Sequence, residues 1–168
     1  AENLINCIKK NKPLPEKACW LTFDDGYKDH IQYVLPELKR KGLQGSFFPP
    51  RFSSEGKDLL EVNAIHFILE KCKNINQLRL EIDLFCLENN FNQLEIKKLW
   101  INFAKPNRFD DAITIYVKRM LQHILPKRLR KILINDLFEK YVGISQSEFC
   151  KELYMSKNDL IKLINEEM

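Results

Sequence analysis

The apolar positions change rhythm once along the chain. Up to Pro50 they fall in short runs, and from Leu59 onward they recur every three or four residues. The first run, Ala18-Cys19-Trp20-Leu21-Thr22-Phe23, has the β-branched and aromatic bias of a buried strand, and Gly26 allows a sharp exit after it. Before it lies a short amphipathic piece with Leu4, Ile5 and Ile8, ended by Pro13 and Pro15. From Lys28 to Lys41, Ile31, Val34, Leu35 and Leu38 share helical spacing. Lys39, Arg40 and Lys41 then crowd the last turn before Gly42, a strong stop signal. Pro36 inside this stretch predicts a kink or a late helix start. Gln44 to Phe48 predicts a second short strand, closed by Pro49-Pro50.

Strand, helix and strand in this order predict a right-handed βαβ unit with two parallel strands. Two strands leave both sheet edges open, so the unit is not a whole domain. The rest of the chain predicts helices. Val62, Ile65, His66 and Leu69 give one stripe, and Ile75, Leu78, Ile82, Phe85 and Cys86 a second, broken at Asn89-Asn90. Ile96, Leu99, Trp100 and Phe103 give a third. Asp110-Asp111 caps a fourth, with Ile113, Val117, Met120, Leu121 and Ile124 on one face up to Pro126. Leu129, Ile132, Leu133, Leu137 and Phe138 mark a fifth before Gly143. Phe149, Cys150 and Leu153 mark a short sixth. Ser156-Lys157-Asn158-Asp159 reads as a capping box opening a seventh, with Leu160, Leu163 and Ile164 inward. These stripes read as a helical core rather than a cofactor box. The division expected is 1–58 for the βαβ part and 59–168 for the helices.

Composition narrows the class. With 168 residues, 45% of them hydrophobic and 30% charged, the chain is an ordinary globular protein of one domain, or one domain with a large insertion. No apolar run approaches membrane-spanning length, so no transmembrane helix is expected. Ala1-Glu2-Asn3-Leu4 shows neither an initiating Met nor a basic-then-apolar leader, so the natural start is expected upstream or processed away. The five cysteines are scattered, with no Cys-x-x-Cys pair, which fits reduced thiols and a cytoplasmic setting. The net charge of +4 is mild and spread out, and no nucleic-acid partner is expected.

The chemistry concentrates at Asp24-Asp25-Gly26, where the first apolar run ends. Neighbouring carboxylates there repel unless a cation or a shared proton lies between them, so the pair is either a solvated turn or the start of a metal site. Thr22-Phe23-Asp24-Asp25-Gly26 resembles the first signature of the polysaccharide deacetylase family (NodB homology, carbohydrate esterase family 4). Gly42-Leu43-Gln44-Gly45-Ser46-Phe47-Phe48 resembles that family's second strand. Asn107-Arg108-Phe109-Asp110-Asp111, Val117 to Gln122 and Glu152-Leu153-Tyr154-Met155-Ser156 resemble a subgroup from bacterial surface-glycan gene clusters. In that subgroup a helical insertion precedes a His-x-x-x-His motif.

The resemblance implies an α/β fold, part of a deformed (β/α) barrel, and metal-dependent hydrolysis of an N-acetyl amide on a sugar or polysaccharide. It implies Asp24 as catalytic base and Asp25 as a ligand to a divalent metal, zinc by preference. Such an ion polarises the acetyl carbonyl and acidifies its water, while a carboxylate takes the proton. Successive strand side chains point different ways, so the two carboxylates could divide these tasks. The family's remaining ligands come from the His-x-x-x-His motif, which this chain lacks. It is therefore expected to be the N-terminal portion of such a protein, binding zinc weakly or not at all and inactive alone. The alternative is a non-catalytic protein on the same fold that binds a partner or a glycan.

The other candidates read as structural. His30, five residues after Asp25, could approach the strand end, whereas His66 and His123 suggest surface or packing roles. Arg108 with Asp110 and Asp111 suggests a loop salt bridge or a helix cap. Lys127, Arg128, Arg130 and Lys131 read as the solvated face of an amphipathic helix. Contact with an anionic glycan, a membrane surface or nucleic acid is the functional alternative for that face.

Overall fold

The computed structural model describes residues 2–51 and 55–168. It is mostly helical, with one sheet of two parallel strands, β1 (Thr22–Asp24) and β2 (Ser46–Phe48). Helix α1 (Glu2–Lys9) precedes β1, and α2 (Leu35–Lys41) lies between the strands. After β2 come α3 (Glu61–Lys71), α4 (Ile75–Glu88), α5 (Gln93–Phe103), α6 (Ala112–Arg119), α7 (Lys127–Val142), α8 (Gln146–Leu153) and α9 (Lys157–Asn165). Among the described residues the strands form one βαβ unit, which is what the structure holds of the α/β fold that the resemblance implies. Among the described residues no helix is long and apolar enough to cross a membrane.

The chain divides into two compact units. One is Ala1–Asp58 together with Ser147–Met168; the other is Leu59–Gln146. Helical periodicity groups 59–168 as one stretch, whereas Ser147–Met168 clusters with the strands. Backbone hydrogen bonds fix that placement: Lys28 N–H donates to Leu153 O at 2.8 Å, and Met155 N–H donates to Gly26 O at 2.8 Å. Leu35, Met155 and Leu163 form a buried cluster there, flanked by Ile31, Phe47 and Leu160. Both bonds fall just after the Asp24-Asp25 doublet, at Gly26 and Lys28, so the last helices help to hold the chain that leaves it.

The first strand is shorter and later than the run from Ala18 to Phe23 suggests. The ladder begins only where Ser46 N–H donates to Leu21 O at 2.9 Å, and β2 offers a partner no further back. Nor is β1 a buried strand: Thr22 and Asp24 are exposed and Phe23 half-buried, because only one face is covered. Within the 28–41 stretch, a five-residue π-helical segment, His30–Val34, comes first and the α-helix starts at Leu35. Pro36 has no N–H for an i−4 bond, and the wider turn is closed instead by Leu35 N–H donating to His30 O. Gly42 ends α2 in the left-handed conformation at φ 61°.

The second unit has a core of its own that includes Ile65, Ile68, Leu78, Ile82, Tyr116, Met120 and Phe138. Asp111 caps α6 by accepting from Thr114 N–H at 2.7 Å, and Asp110 pairs with Lys118 at 2.7 Å. The Arg108 guanidinium lies over the Phe109 ring, 5.5 Å from its centroid. Asn74 and Asn92 cap α4 and α5, the latter in a full capping box with Glu95. In the basic cluster of α7, Arg130 is not merely solvated: it pairs with Glu61 at 2.8 Å. Ile132 and Ile164, expected inward from their spacing, are exposed, Ile164 at 70%. The buried face of α7 is carried by Leu133, Ile134, Leu137 and Phe138 and that of α9 by Leu163, and Ile132 and Ile164 fall outside those faces.

Candidate active site

The parallel register pairs Thr22 with Ser46, Phe23 with Phe47 and Asp24 with Phe48. Side chains alternate along a strand, so Phe23 and Phe47 share one face while Thr22, Asp24, Ser46 and Phe48 share the other. The first face is covered. Phe23 stacks on Phe47 at 4.9 Å, and a Cβ on Gly45 would stand 2.8 Å from Phe23 and 2.9 Å from Leu38. The second face is open, and Asp24 is exposed upon it at the C-terminal end of the strand.

Immediately after Asp24 the backbone reverses. Gly26 N–H donates to Asp24 O at 2.9 Å, closing a tight turn around Asp25, whose φ is 65°. A non-glycine residue with that φ carries a local strain that tends to sit at functional turns. Gly26 follows at φ 67°, and a Cβ there would meet Pro49 Cβ at 2.8 Å and Cα at 3.1 Å. Only glycine combines that φ with so close an approach to the chain after β2. The turn separates the two carboxylates. Asp24 stays on the open sheet face, whereas Asp25 is half-buried and its Oδ2 accepts from the Tyr27 hydroxyl at 3.1 Å. Tyr27 is itself stacked on Tyr154 at 5.8 Å.

His30 approaches this turn from the covered side. It is 8% exposed, ringed by Phe23, Tyr27 and Phe47 at 5.6, 5.9 and 5.7 Å, and its Nδ1 has no hydrogen-bond partner. Burial pushes the imidazole below its ordinary value of 6.5, opposed in part by the carboxylates of Asp29, Asp25 and Asp24 in that order. His30 is thus a neutral, buried ring at neutral pH. His66 and His123 lie in the other unit and are exposed.

The sequence places Asp24, Asp25 and His30 near one another, and the structure keeps them in one neighbourhood. It does not make them a ligand set: among the described residues no three His, Cys, Asp or Glu side chains stand together as a group able to hold a metal ion. Residues that strand-and-motif reading passed over are Tyr27, which holds Asp25, and Trp20 and Phe48, which flank the open face. Trp20 lies before β1, and it is its bond to Ser46 Oγ and its contact with Phe48 that bring it to this side of the sheet.

Residues 11–55 match the family model described as polysaccharide deacetylase. The matched segment contains β1, the Asp24-Asp25-Gly26 turn, α2 and β2, and corresponds to the N-terminal portion of such a domain. No curated protein and no solved structure matches the chain.

Proposed function

We propose that this chain is the N-terminal part of a polysaccharide deacetylase-like hydrolase that removes the acetyl group from an N-acetylated sugar or polysaccharide. The observation that carries the reading is the position of Asp24. Its carboxylate is exposed on the open face of a parallel sheet, at the C-terminal strand end where α/β sheets hold their ligands, within the segment that matches the family. A carboxylate there can take the proton from a water attacking an amide carbonyl. Asp25 is the one ligand this chain would contribute to a divalent metal, and its Tyr27 hydrogen bond fixes the carboxylate for that role. Gly26 keeps the turn tight enough for the two neighbours to face different ways.

In the product of the whole gene, Asp24→Asn is expected to retain metal and lose acetate release from an N-acetylglucosamine oligomer. Acetate release by Asp24→Asn at the wild-type rate would remove Asp24 from the role of base.

A second reading, a non-catalytic protein that binds a glycan or a partner on the same fold, is favoured by one observation, that no three-donor metal group forms among the described residues. Under that reading sugar binding persists and acetate release is absent in wild type.

A further inference from the structure

The positive charge is not spread evenly along the chain. Residues 96–135 hold ten Lys and Arg against two Asp, whereas the rest of the chain holds seventeen against twenty-one Asp and Glu. The surplus therefore belongs to the helical unit, Leu59–Gln146. Within it, the segment from Lys97 to Phe109 carries four cations and no carboxylate.

The first half of that segment lies on α5. Leu94, Lys97, Lys98 and Ile101 recur at i, i+3, i+4 and i+7, so they share one side of the helix. The other side carries buried Ile96 and Trp100, whose ring meets Tyr116 at 5.1 Å and lies under the Arg79 guanidinium. The core of the unit thus closes without the outward side, where Leu94 is 72% and Ile101 62% exposed. Lys97, Lys98 and Lys105 are exposed too, and none is in an ion pair among the described residues.

The loop leaving α5 adds an apolar tip. Phe109 is 84% exposed, yet its backbone is held. Asn107 Oδ1 accepts from the N–H groups of Phe109 and Asp110 at 2.7 and 2.9 Å, and Asp110 is anchored to Lys118. A ring presented by a built turn loses little further freedom when a partner covers it.

The chemistry of the surface selects the partner. Aliphatic Leu94 and Ile101 gain nothing from stacked bases, but they partition into acyl chains. A protein layer over the same side would strip water from unpaired ammonium groups, which is costly. In a layer of lipid headgroups those ammonium groups stay wet beside phosphates, while their stems cover apolar surface.

We propose that the outward side of α5 and the Phe109 tip form a docking surface for an anionic phospholipid bilayer. Phe109 enters the interface, and Lys97, Lys98 and Lys105 face the headgroup phosphates. The contact uses neither Asp24 nor Asp25, so it stands or falls separately from the deacetylase reading.

The test sediments the chain with vesicles of phosphatidylcholine alone or mixed in equal parts with phosphatidylglycerol. Binding is expected to the mixed vesicles at low salt, and to be lost at high salt and on pure phosphatidylcholine. Lys97→Ala and Lys98→Ala should each weaken it about fivefold, and Phe109→Ala roughly tenfold. Lys127→Ala, on α7, should weaken it less than Lys97→Ala. Phe109→Trp should keep the affinity, and its added emission should shift to the blue on mixed vesicles. Circular dichroism of each variant confirms that the fold persists. No binding to the mixed vesicles, undiminished affinity in Phe109→Ala, or a loss in Lys127→Ala equal to that in Lys97→Ala would overturn the proposal. Binding to a uridine RNA oligomer without binding to the mixed vesicles would overturn it as well, and would assign the basic surface to nucleic acid.

Discussion

Gly26→Ala is the substitution whose effect follows most directly from geometry. Gly26 sits at φ 67°, and a left-handed backbone costs an L-residue with a Cβ about 1–2 kcal/mol. The added Cβ would also stand 2.8 Å from Pro49 Cβ and 3.1 Å from its Cα. Both are atoms of a rigid ring and its backbone, so relief requires moving the chain just after β2. Overpacking of this kind costs about 1–3 kcal/mol, for a total of about 2–5 kcal/mol. Gly42 supplies the control: its φ is 61°, yet a Cβ there meets nothing within 4 Å. Gly42→Ala should therefore show only the backbone term.

The assay is urea unfolding followed by Trp20 emission in a Trp100→Phe background, which reports on the strand-bearing unit. With slopes of about 1–3 kcal/mol/M, the two variants should differ in midpoint by on the order of 1 M. Equal midpoints for Gly26→Ala and Gly42→Ala would show that Pro49 does not confine the turn. The tight coupling of the Asp24-Asp25 turn to the end of β2 would then be refuted.

His30 should make the strand-bearing unit acid-sensitive. Its folded pKa lies below 6.5 because burial disfavours the charged ring, so below 6.5 the unfolded chain binds the extra proton first. Stability is then complete above 6.5 and falls as pH drops through 6.5 toward the folded value. His30→Phe should flatten that slope in urea midpoints measured across the window; an unchanged slope would clear His30 of responsibility. Thiol labelling at neutral pH should modify exposed Cys19 quickly. Buried Cys86 and Cys150, whose thiols burial pushes up to about 12 and about 11, should react only on unfolding, and prompt modification of Cys86 would contradict its burial. Asn74→Ala should cost about 1 kcal/mol, because Asn74 Oδ1 accepts from the N–H groups of Asn76 and Gln77; an unchanged unfolding midpoint would show the cap to be dispensable.

Much of the local structure was legible in the residues because its causes are local. Gly42 after three basic residues marks a helix end through its left-handed backbone, and Ser156 with Asp159 marks a helix start through reciprocal hydrogen bonds. The parallel pairing of β1 with β2 follows from a crossover helix between two short apolar runs. What was not legible depends on partners distant in sequence. Ala18 to Trp20 has strand composition but no strand beside it, so composition alone overextends β1. The docking of Ser147–Met168 on the strand-bearing unit rests on Met155 reaching Gly26 and Leu163 reaching Leu35, contacts that no periodicity encodes.

The site divides in the same way. The Asp24-Asp25-Gly26 turn announces itself in sequence, and the alternation of Thr22, Phe23 and Asp24 puts the two polar side chains on one face. The Tyr27–Asp25 hydrogen bond and the aromatic enclosure of His30 were not, because each needs the backbone reversal at Asp25 to bring its members together.

Zinc titration of the chain by calorimetry, in wild type, Asp25→Ala and Asp24→Asn, bears most directly on whether the acidic turn is the beginning of a metal-dependent site. The expected result is weak binding in wild type, retained in Asp24→Asn and lost in Asp25→Ala. Equal zinc affinity in wild type and Asp25→Ala would contradict the assignment of Asp25 as a ligand.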